Sequence, residues 1–283
     1  MNFKKLYLFF EMVKIEHTIF ALPFAYVGAI IGSSGISPLK DIFYITLAMF
    51  GGRSFAMTWN RIVDRKIDAR NSRTSSRHLV TGQVNLKEAR IFCILSLIIF
   101  IASAYRLEPL AHILWPLFIL PMIVYPYAKR FSWLSHFILG LSLSLSPIGA
   151  FIAVTNRIPD FPVFLIAAGI LIWTAGFDVI YACQDYEFDK SEGLYSIPAS
   201  FGVKNSFLLT SVLHLLTIII FFYAGKLMEL GIFYFSGIII ISLFLIYENI
   251  IMRKGKLDAA FFKMNGLVSM TIFVFTLLEY VLI

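Results

Sequence analysis

Apolar segments long enough to cross a lipid bilayer recur along the whole chain. A helix that spans a bilayer needs about 20 mostly apolar residues. Nine such segments lie at 18–35, 42–59, 90–106, 110–127, 134–155, 162–182, 206–225, 230–250 and 261–282. Only 14% of the residues are charged, whereas a soluble domain carries roughly 25%. Because a helix satisfies its backbone hydrogen bonds within lipid, the sequence predicts an all-α, polytopic membrane bundle of nine transmembrane helices.

The distribution of lysine and arginine predicts how this bundle is oriented. With nine spans, 19 of the 24 lysine and arginine residues fall on the side of the N-terminus, four fall on the other side, and Arg53 lies inside a span. Positive residues concentrate on the cytoplasmic side, so we expect a cytoplasmic N-terminus in an inner (cytoplasmic) membrane. The net charge of +7 then reflects orientation and contact with anionic lipid, and it does not indicate binding of nucleic acid.

The sequence contains no separate soluble domain, so residues 1–283 are predicted to form a single transmembrane domain. The N-terminal segment lacks a small-residue cleavage site and is followed by charged residues, which favours an interfacial helix over a signal peptide. Cys93 and Cys183 are far apart and have neither disulfide nor metal-ligand spacing. Nothing in the sequence indicates an obligate protein partner.

Two stripes of acidic residues follow apolar segments. The first acidic stripe consists of Asn60, Asp64 and Asp68, spaced i, i+4, i+8 in N-R-I-V-D-R-K-I-D. The second acidic stripe consists of Asp178, Tyr181, Asp185 and Asp189, at offsets 0, 3, 7 and 11. At about 100° per residue, each set falls on one face of a helix. Carboxylates at i, i+4 repel each other by a few tenths of a kcal/mol, and a divalent cation would reverse that cost. Both stripes are expected on the cytoplasmic side.

A basic loop follows the first acidic stripe. Arg70, Arg73 and Arg77 lie within a dozen residues of Asp64 and Asp68. Aspartates bind Mg²⁺ together with substrate phosphates, and arginine forks match phosphate oxygens. These residues together predict a diphosphate site that faces the cytoplasm. The alternative is a solvated basic loop with ordinary surface ion pairs, which the second acidic stripe disfavours.

The paired motifs resemble the UbiA superfamily of intramembrane aromatic prenyltransferases. The resemblance rests on N-x-x-x-D-x-x-x-D after the second span and D-x-x-Y-x-x-x-D-x-x-x-D at the end of the sixth, and it covers nearly the whole chain. It implies transfer of a polyprenyl group from polyprenyl diphosphate to a small aromatic acceptor, with Mg²⁺ as cofactor. The catalytic residues inferred in this way are Asp64, Asp68, Asp178, Tyr181, Asp185 and Asp189.

The resemblance also implies binding roles. The expected metal ligands are Asn60, Asp64, Asp68, Asp185 and Asp189. The expected diphosphate-binding residues are Asn60, Arg73, Arg77, Tyr125 and Lys129, of which the last two come from Y-P-Y-A-K after the fourth span. Many members have Arg-Pro where this chain has Arg77-His78. That difference concerns the shape of the loop and removes no expected ligand.

The residues fit this chemistry without the family. An allylic diphosphate ionises when its leaving group is neutralised, which Mg²⁺ and Arg or Lys side chains achieve electrostatically. The resulting carbocation must be kept from water, as a cavity within the membrane does. Tyr181 is a candidate to stabilise this cation with its ring face, worth about 0.5–2 kcal/mol. The equal alternative is a tyrosine of the interfacial belt.

Two residues are candidates for binding the aromatic acceptor. Arg53 lies seven residues before Asn60, on the same helix face and about 10 Å deeper, and a charge within a span indicates function by default. We expect it to pair with an acceptor carboxylate; a structural partner such as Glu16 or Glu248 is the alternative. The segment K-I-E-H-T-I-F-A-L-P-F-A resembles quinone-pathway members that act on 4-hydroxybenzoate or a dihydroxynaphthoate. There His17 would orient the phenol or take its proton, the alternative being an interfacial cap.

Two other classes of protein compete with this interpretation. Ionisable residues in a helix bundle also occur in secondary transporters, although here they cluster at helix ends beside arginines. A CDP-alcohol phosphotransferase would carry Asp-Gly followed by Ala-Arg, and Asp68-Ala69-Arg70 lacks the glycine. The scattered histidines lack metal spacing and are assigned no role; they are His112, His136 and His214. The sequence leaves the acceptor and the prenyl length open.

Overall fold

The computed structural model describes residues 3–255 and 257–283, with the side chains of all of these except residues 3, 4, 16, 17, 19 and 258–263. The described residues form helices and no β-strand. The helices are α1 (Phe3–Met12), α2 (Glu16–Ser33), α3 (Leu39–Asp68), α4 (Leu86–Ala104), α5 (Pro109–Ala128), α6 (Ser135–Thr155), α7 (Phe161–Ala182), α8 (Tyr186–Ser191), α9 (Ile197–Phe201), α10 (Val203–Leu227), α11 (Ile232–Arg253) and α12 (Leu257–Leu282). A short 3₁₀ helix, Cys183–Asp185, separates α7 from α8.

The prediction of an all-helical membrane protein is confirmed in its coarse form. A helix of at least 18 residues overlaps every segment that the sequence predicts as a span. Within the described part of the chain, six helical segments are long and apolar enough to cross a membrane by length and composition. Helices α2, α3 and α4 fall outside that set. The described apolar stretch of α2, Phe20–Ser33, is shorter than 18 residues. Helix α3 carries charged residues at both ends and at Arg53, and α4 carries them at its N-terminal end. The count of nine spans therefore stays a prediction.

The long helices form two groups, and each group begins with a helix that carries all or part of an acidic stripe. In the first group, α3 packs against α4 and α5, and α5 packs against α6. In the second group, α7 packs against α10, α10 against α11, and α11 against α12. Helix α2 contacts both groups through α6 and α12, and α6 packs against α7. The C-terminal ends of α3 and α7 thereby reach the same end of the bundle and line one cavity.

Small residues allow the helices around this cavity to approach closely. A Cβ at Gly140 on α6 would overlap the carbonyl oxygen of Leu171 on α7. A Cβ at Gly28 on α2 would likewise overlap the backbone of Pro147 on α6. Membrane helices commonly pack through such small residues. The close contact of α6 with α7 brings His136, one turn before Gly140, to the acidic end of α7.

The loop between α3 and α4, residues 69–85, is held in place by buried apolar side chains. Leu79 and Val84 are each 2% exposed and pack in a cluster with Phe9 and Met12 of α1. Asn85 caps α4 in a reciprocal arrangement with Glu88, which fixes where the loop ends. The basic loop is thus an ordered part of the structure, and its arginines have defined positions.

Candidate active site

One cavity of about 740 Å³ collects the candidate residues from both helix groups. The predicted site residues whose side chains the structure describes all line it, namely Arg53, Asn60, Asp64, Asp68, Arg73, Arg77, Tyr125, Lys129, Asp178, Tyr181, Asp185 and Asp189. The side chain of His17 lies outside the described residues. Farther along the cavity the lining is apolar and includes Phe100, Trp115, Phe118 and Met122. The cavity therefore has a charged end and an apolar end, as an amphipathic substrate requires.

The first acidic stripe lies on the last turns of α3 and is nearly fully buried. Asp64 is 2% exposed and Asp68 is 4% exposed. Asn60 donates its side-chain amide to Oδ2 of Asp64 at 3.1 Å. The sequence-based stripe is therefore a real helix face, because α3 runs without interruption from Leu39 to Asp68.

Cationic side chains neutralise this first stripe. Nζ of Lys129 lies 2.8 Å from Oδ2 of Asp64, and Nη2 of Arg130 lies 3.2 Å from the other oxygen of the same carboxylate. Arg77 donates to Oδ1 of Asp68 at 2.6 Å. The pairing is possible because α5 ends next to α3, at Ala128, and the basic loop folds back over it. Two buried carboxylates thus share three cations.

The second acidic stripe is not a single helix face. Helix α7 ends at Ala182, and the 3₁₀ helix tightens the chain to about 3 residues per turn before α8 begins at Tyr186. Asp178 and Tyr181 therefore lie on α7, whereas Asp185 lies in the 3₁₀ helix and Asp189 on α8. All four still line the cavity. The assumption of one continuous helix was wrong here, because it ignored the turn.

The partners of the second stripe come from the basic loop. Arg73 holds Asp185 through a fork: Nε donates to Oδ1 at 2.8 Å, and Nη2 pairs with Oδ2. Asn71 donates to the same carboxylate at 2.8 Å. Arg73 also donates to the hydroxyl of Tyr181 at 2.6 Å, and its guanidinium carbon lies 4.7 Å from the centre of that ring. Burial alone would lower the pKa of Arg73, but these hydrogen bonds and the charge of Asp185 outweigh it and raise the pKa.

His136 is a site residue that sequence reasoning missed. Its Nδ1 lies 2.7 Å from Oδ2 of Asp178, and its Nε2 accepts the backbone N–H of Ile197 at 3.2 Å. An imidazole nitrogen that accepts a hydrogen bond carries no proton, so Nδ1 is the ring nitrogen that is placed to donate to Asp178. The sequence assigned no role to His136, because spacing along the chain does not reveal a contact between α6 and α7.

Other residues at the site were also missed. Arg61 lines the cavity and donates to Oδ1 of Asn60 at 3.2 Å. Asn71 and Arg130 contact the two acidic stripes as described above. Their signal in the sequence was adjacency, since Arg61 follows Asn60 and Arg130 follows Lys129. Asn60 and Arg61 are adjacent on α3 and point about 100° apart, so the pattern gave no reason to place both at the cavity.

The loops that carry the two sets of residues are joined at the surface. Arg70 donates to Glu192 through Nε and Nη2, at 2.9 and 2.6 Å to Oε2. The backbone N–H of Tyr195 donates to the carbonyl of Lys129 at 2.7 Å. These contacts connect the basic loop, the segment after α5 and the segment after α8. They hold the charged end of the cavity in one arrangement.

The residues at the charged end fit a magnesium ion held jointly with a phosphorylated substrate. Among the described residues, no three His, Cys, Asp or Glu side chains are close enough together to hold a metal ion by themselves. Mg²⁺ does not require such a cage, because it keeps several waters and uses one or two carboxylates plus substrate phosphates. The two acidic stripes supply such carboxylates on both sides of the cavity. The donor set is all oxygen, which suits Mg²⁺ and not a softer metal.

Arg53, the charge inside a predicted span, is half-buried and lines the cavity. Of its predicted alternative partners, Glu248 is excluded, because neither of its carboxylate oxygens has a hydrogen-bond partner among the described residues. The side chain of Glu16, the other alternative, lies outside the described residues.

A family model decides which class of protein this is. The model of the UbiA prenyltransferase family matches residues 21–274. The chain belongs to this family. The predicted resemblance is confirmed. Family membership and the apolar helices together identify an integral membrane protein.

Individual UbiA proteins resemble the whole length of the chain. It is 29% identical over 292 residues to a protein of Francisella tularensis subsp. tularensis named 4-hydroxybenzoate octaprenyltransferase, covering 100% of this chain and 99% of the relative. The apo structure of a UbiA homologue from Aeropyrum pernix K1 is 34% identical, with a TM-score of 0.86, and the match covers 92% of this chain and 97% of that one.

A third similarity concerns the fold alone. The structure of a UbiA homologue from Archaeoglobus fulgidus bound to GPP and Mg²⁺ has a TM-score of 0.72 at 21% identity, over 95% of this chain and 98% of that one. The arrangement of helices described above is thus shared with a protein in which a prenyl diphosphate and magnesium are bound together.

Proposed function

We propose that this UbiA protein transfers a polyprenyl group from polyprenyl diphosphate to 4-hydroxybenzoate or a related dihydroxynaphthoate, in ubiquinone or menaquinone biosynthesis. One observation carries the proposal: both acidic stripes and the arginines of the basic loop face a single cavity whose far end is apolar. The name of the Francisella relative supports 4-hydroxybenzoate as the first acceptor to test.

The charged end of the cavity is the proposed diphosphate site. Mg²⁺, when bound with the substrate, supplies Lewis-acid neutralisation of the leaving group. Asn60, Asp64, Asp68, Asp185 and Asp189 are the proposed residues that hold it. Lys129, Arg73, Arg77 and Tyr125 are proposed to bind diphosphate oxygens.

The chain's own ion pairs suggest how the site accepts this charge. Lys129 and Arg77 each pair with a buried aspartate. A diphosphate that binds with Mg²⁺ offers anionic oxygens to Lys129 and Arg77, and the metal ion offers a cation to the aspartates. We propose that these side chains exchange partners without leaving a buried charge unpaired, which would otherwise be costly.

The reaction then needs a dry cavity and an oriented ring. The bond between the allylic carbon and the diphosphate oxygen breaks, and its electron pair leaves with the diphosphate. A ring carbon of the acceptor forms the new bond to the allylic carbon, and that ring carbon then passes its proton to an oxygen of the released diphosphate. The apolar end of the cavity excludes water from these steps. One face of the Tyr181 ring is already covered by Arg73, so we assign Tyr181 to positioning that guanidinium.

Arg53 is proposed to bind the carboxylate of the acceptor. It lies eleven residues before Asp64 on α3, and so about 16 Å farther along the helix. A prenyl diphosphate bound at the stripes would place its reactive carbon between the two positions. His17 remains a proposed contact to the phenol.

The proposed setting is an inner membrane crossed nine times, with the N-terminus and the diphosphate site on the cytoplasmic side. The asymmetry of lysine and arginine supports this orientation. We expect contact with membrane lipid and no need for another protein.

An assay on the purified protein in detergent tests the function. We expect Mg²⁺-dependent prenylation of 4-hydroxybenzoate, or of a dihydroxynaphthoate, with release of diphosphate, measured for several prenyl lengths. Release of diphosphate without a prenylated ring would point to another acceptor class. No turnover of any prenyl diphosphate, together with ion flux in liposomes, would favour the transporter alternative.

A further inference from the structure

Asn265 is a polar side chain on α12, a helix that contributes no residue to the site described so far. It is 7% exposed and lines the cavity. Its Oδ1 has no hydrogen-bond partner among the described residues. Native proteins pair roughly 90% or more of their buried polar groups, because leaving one unpaired costs free energy. An amide oxygen in this state at the wall of a cavity indicates a ligand that completes it.

Two polar side-chain atoms of α7 at the same cavity are likewise buried without a hydrogen-bond partner among the described residues. The hydroxyl of Thr174 and the indole N–H of Trp173 have no partner in the described part of the chain. Both residues line the cavity and are at most 2% exposed. Thr174 lies one turn before Asp178, about 6 Å along the helix. Helix α12 packs against α7 and α2, so polar groups that lack a partner among the described residues line the cavity from two helices that contact each other.

The chemistry of the unpaired oxygen selects among the substrates. A carbonyl oxygen accepts hydrogen bonds and donates none. A polyprenyl chain carries no N–H or O–H group, and an ionised diphosphate offers acceptor oxygens. Of the proposed substrates, the aromatic acceptor alone has a donor, its phenolic hydroxyl.

We infer that Asn265 binds the phenolic hydroxyl of the aromatic acceptor and is a specificity-determining residue. The inference rests on the proposed function and deepens it. A hydrogen bond that the hydroxyl donates leaves more electron density on its oxygen, and so on the neighbouring ring carbons that attack. With Arg53 on the carboxylate, the two contacts would fix both ends of the ring. Thr174 is placed to restrict how the ring tilts.

The test compares Asn265→Leu with the wild-type protein. Leucine has a similar volume and no polar atom, so we expect the KM for 4-hydroxybenzoate to rise roughly tenfold and the KM for the prenyl diphosphate to stay unchanged. The matched control is Ser269→Ala, one turn later on α12, where the side chain is fully buried, bonds to Gly266 and is absent from the cavity wall. It should leave both KM values unchanged.

An analogue separates recognition from a merely structural effect. 4-Methoxybenzoate lacks the donor, so its inhibition constant should be the same for the wild-type protein and for Asn265→Leu. If Asn265→Leu does not fold, as judged by gel filtration in detergent, Asn265→Ala takes its place in both measurements. An unchanged KM for 4-hydroxybenzoate in an active variant would overturn the inference alone. Failure of the wild-type protein to prenylate any phenolic acid would overturn the proposed function, and the inference with it.

Discussion

The two acidic stripes look alike in sequence but are built differently. The first is a continuous face of α3 whose two carboxylates, Asp64 and Asp68, contact three cations. In the second, Asp185 contacts one cation, Arg73, and Asp178 contacts the imidazole of His136. The first stripe is therefore close to neutral, whereas the second keeps more negative charge.

This difference suggests a division of labour at one site. Lys129 and Arg77 are held at the first stripe, ready to move to phosphate oxygens. The second stripe has fewer cations to displace, so it is better prepared for a metal ion. Its broken helix also matters, because the 3₁₀ turn directs Asp185 at the basic loop that belongs to the first stripe. The second stripe is therefore held by Asn71 and Arg73, which follow the first stripe in the chain.

The largest expected effect is the loss of one carboxylate from either stripe. Asp64→Ala and Asp185→Ala should each lower turnover by at least about 10³-fold, because each removes charge that neutralises the transition state through the metal. The measurement is kcat with 4-hydroxybenzoate, on protein that elutes as a single folded species in detergent. Asp160→Ala, at the exposed other end of α7, is the control and should be fully active. Substantial activity in either stripe variant would contradict the site.

Removal of magnesium should abolish turnover. The Mg²⁺ concentration that each variant needs for activity then compares the two stripes. EDTA should abolish turnover and added Mg²⁺ should restore it. In Asp68→Asn and Asp189→Asn, the Mg²⁺ concentration for half-maximal activity should rise on the order of tenfold, since each loses an anionic oxygen donor. A rise confined to Asp189→Asn would show that the second stripe alone holds the metal.

The two loop arginines should differ in their tolerance of lysine. Arg73 uses a fork that bonds both oxygens of Asp185 and also Tyr181, and lysine cannot reproduce a planar fork. Arg77 makes a single contact with Asp68. We expect kcat/KM for the prenyl diphosphate to fall roughly 10²-fold in Arg73→Lys and about tenfold in Arg77→Lys. Equal losses would mean that charge, and not the fork, matters at both positions.

The comparison also explains which parts could be predicted from the sequence. The first stripe was predicted correctly because it lies on an uninterrupted helix, for which spacing along the chain fixes direction. For the second stripe, the residues were predicted but their geometry was not, because no proline or glycine marks the 3₁₀ turn in C-Q-D. The helical class followed from composition, since lipid permits few other folds.

What the sequence could not provide were the contacts between distant elements. His136 faces Asp178 because Gly140 lets α6 approach α7, a relation spread over 42 residues. Asn265 reaches the cavity from the last helix through the packing of α12 on α7. Both depend on which helices are neighbours, and single-sequence periodicity contains no information about that.

A smaller effect is expected from His136, which supports the second stripe indirectly. In His136→Ala, Asp178 loses its only described hydrogen-bond donor, so its orientation should relax and kcat should fall roughly tenfold. His136→Asn keeps a donor and should recover part of the loss. His112→Ala is the matched control, because that ring bonds to Leu107 and is absent from the cavity wall. A fall of 10³-fold or more would mean that His136 itself takes part in the chemistry.

The smallest effect should come from the surface contact that joins the two loops. The Arg70 and Glu192 side chains are 53% and 27% exposed, and water and salt screen such pairs. Arg70→Gln and Glu192→Gln should therefore each change kcat by less than about threefold, and the double variant should match the singles, since either change already removes the pair. Suppose instead that kcat falls 10²-fold in each single variant and is restored in the charge-reversed variant with Arg70→Glu and Glu192→Arg. The contact would then control how the two stripes are positioned relative to each other. The stripes would then be one cooperative unit, and the division of labour between them would not hold.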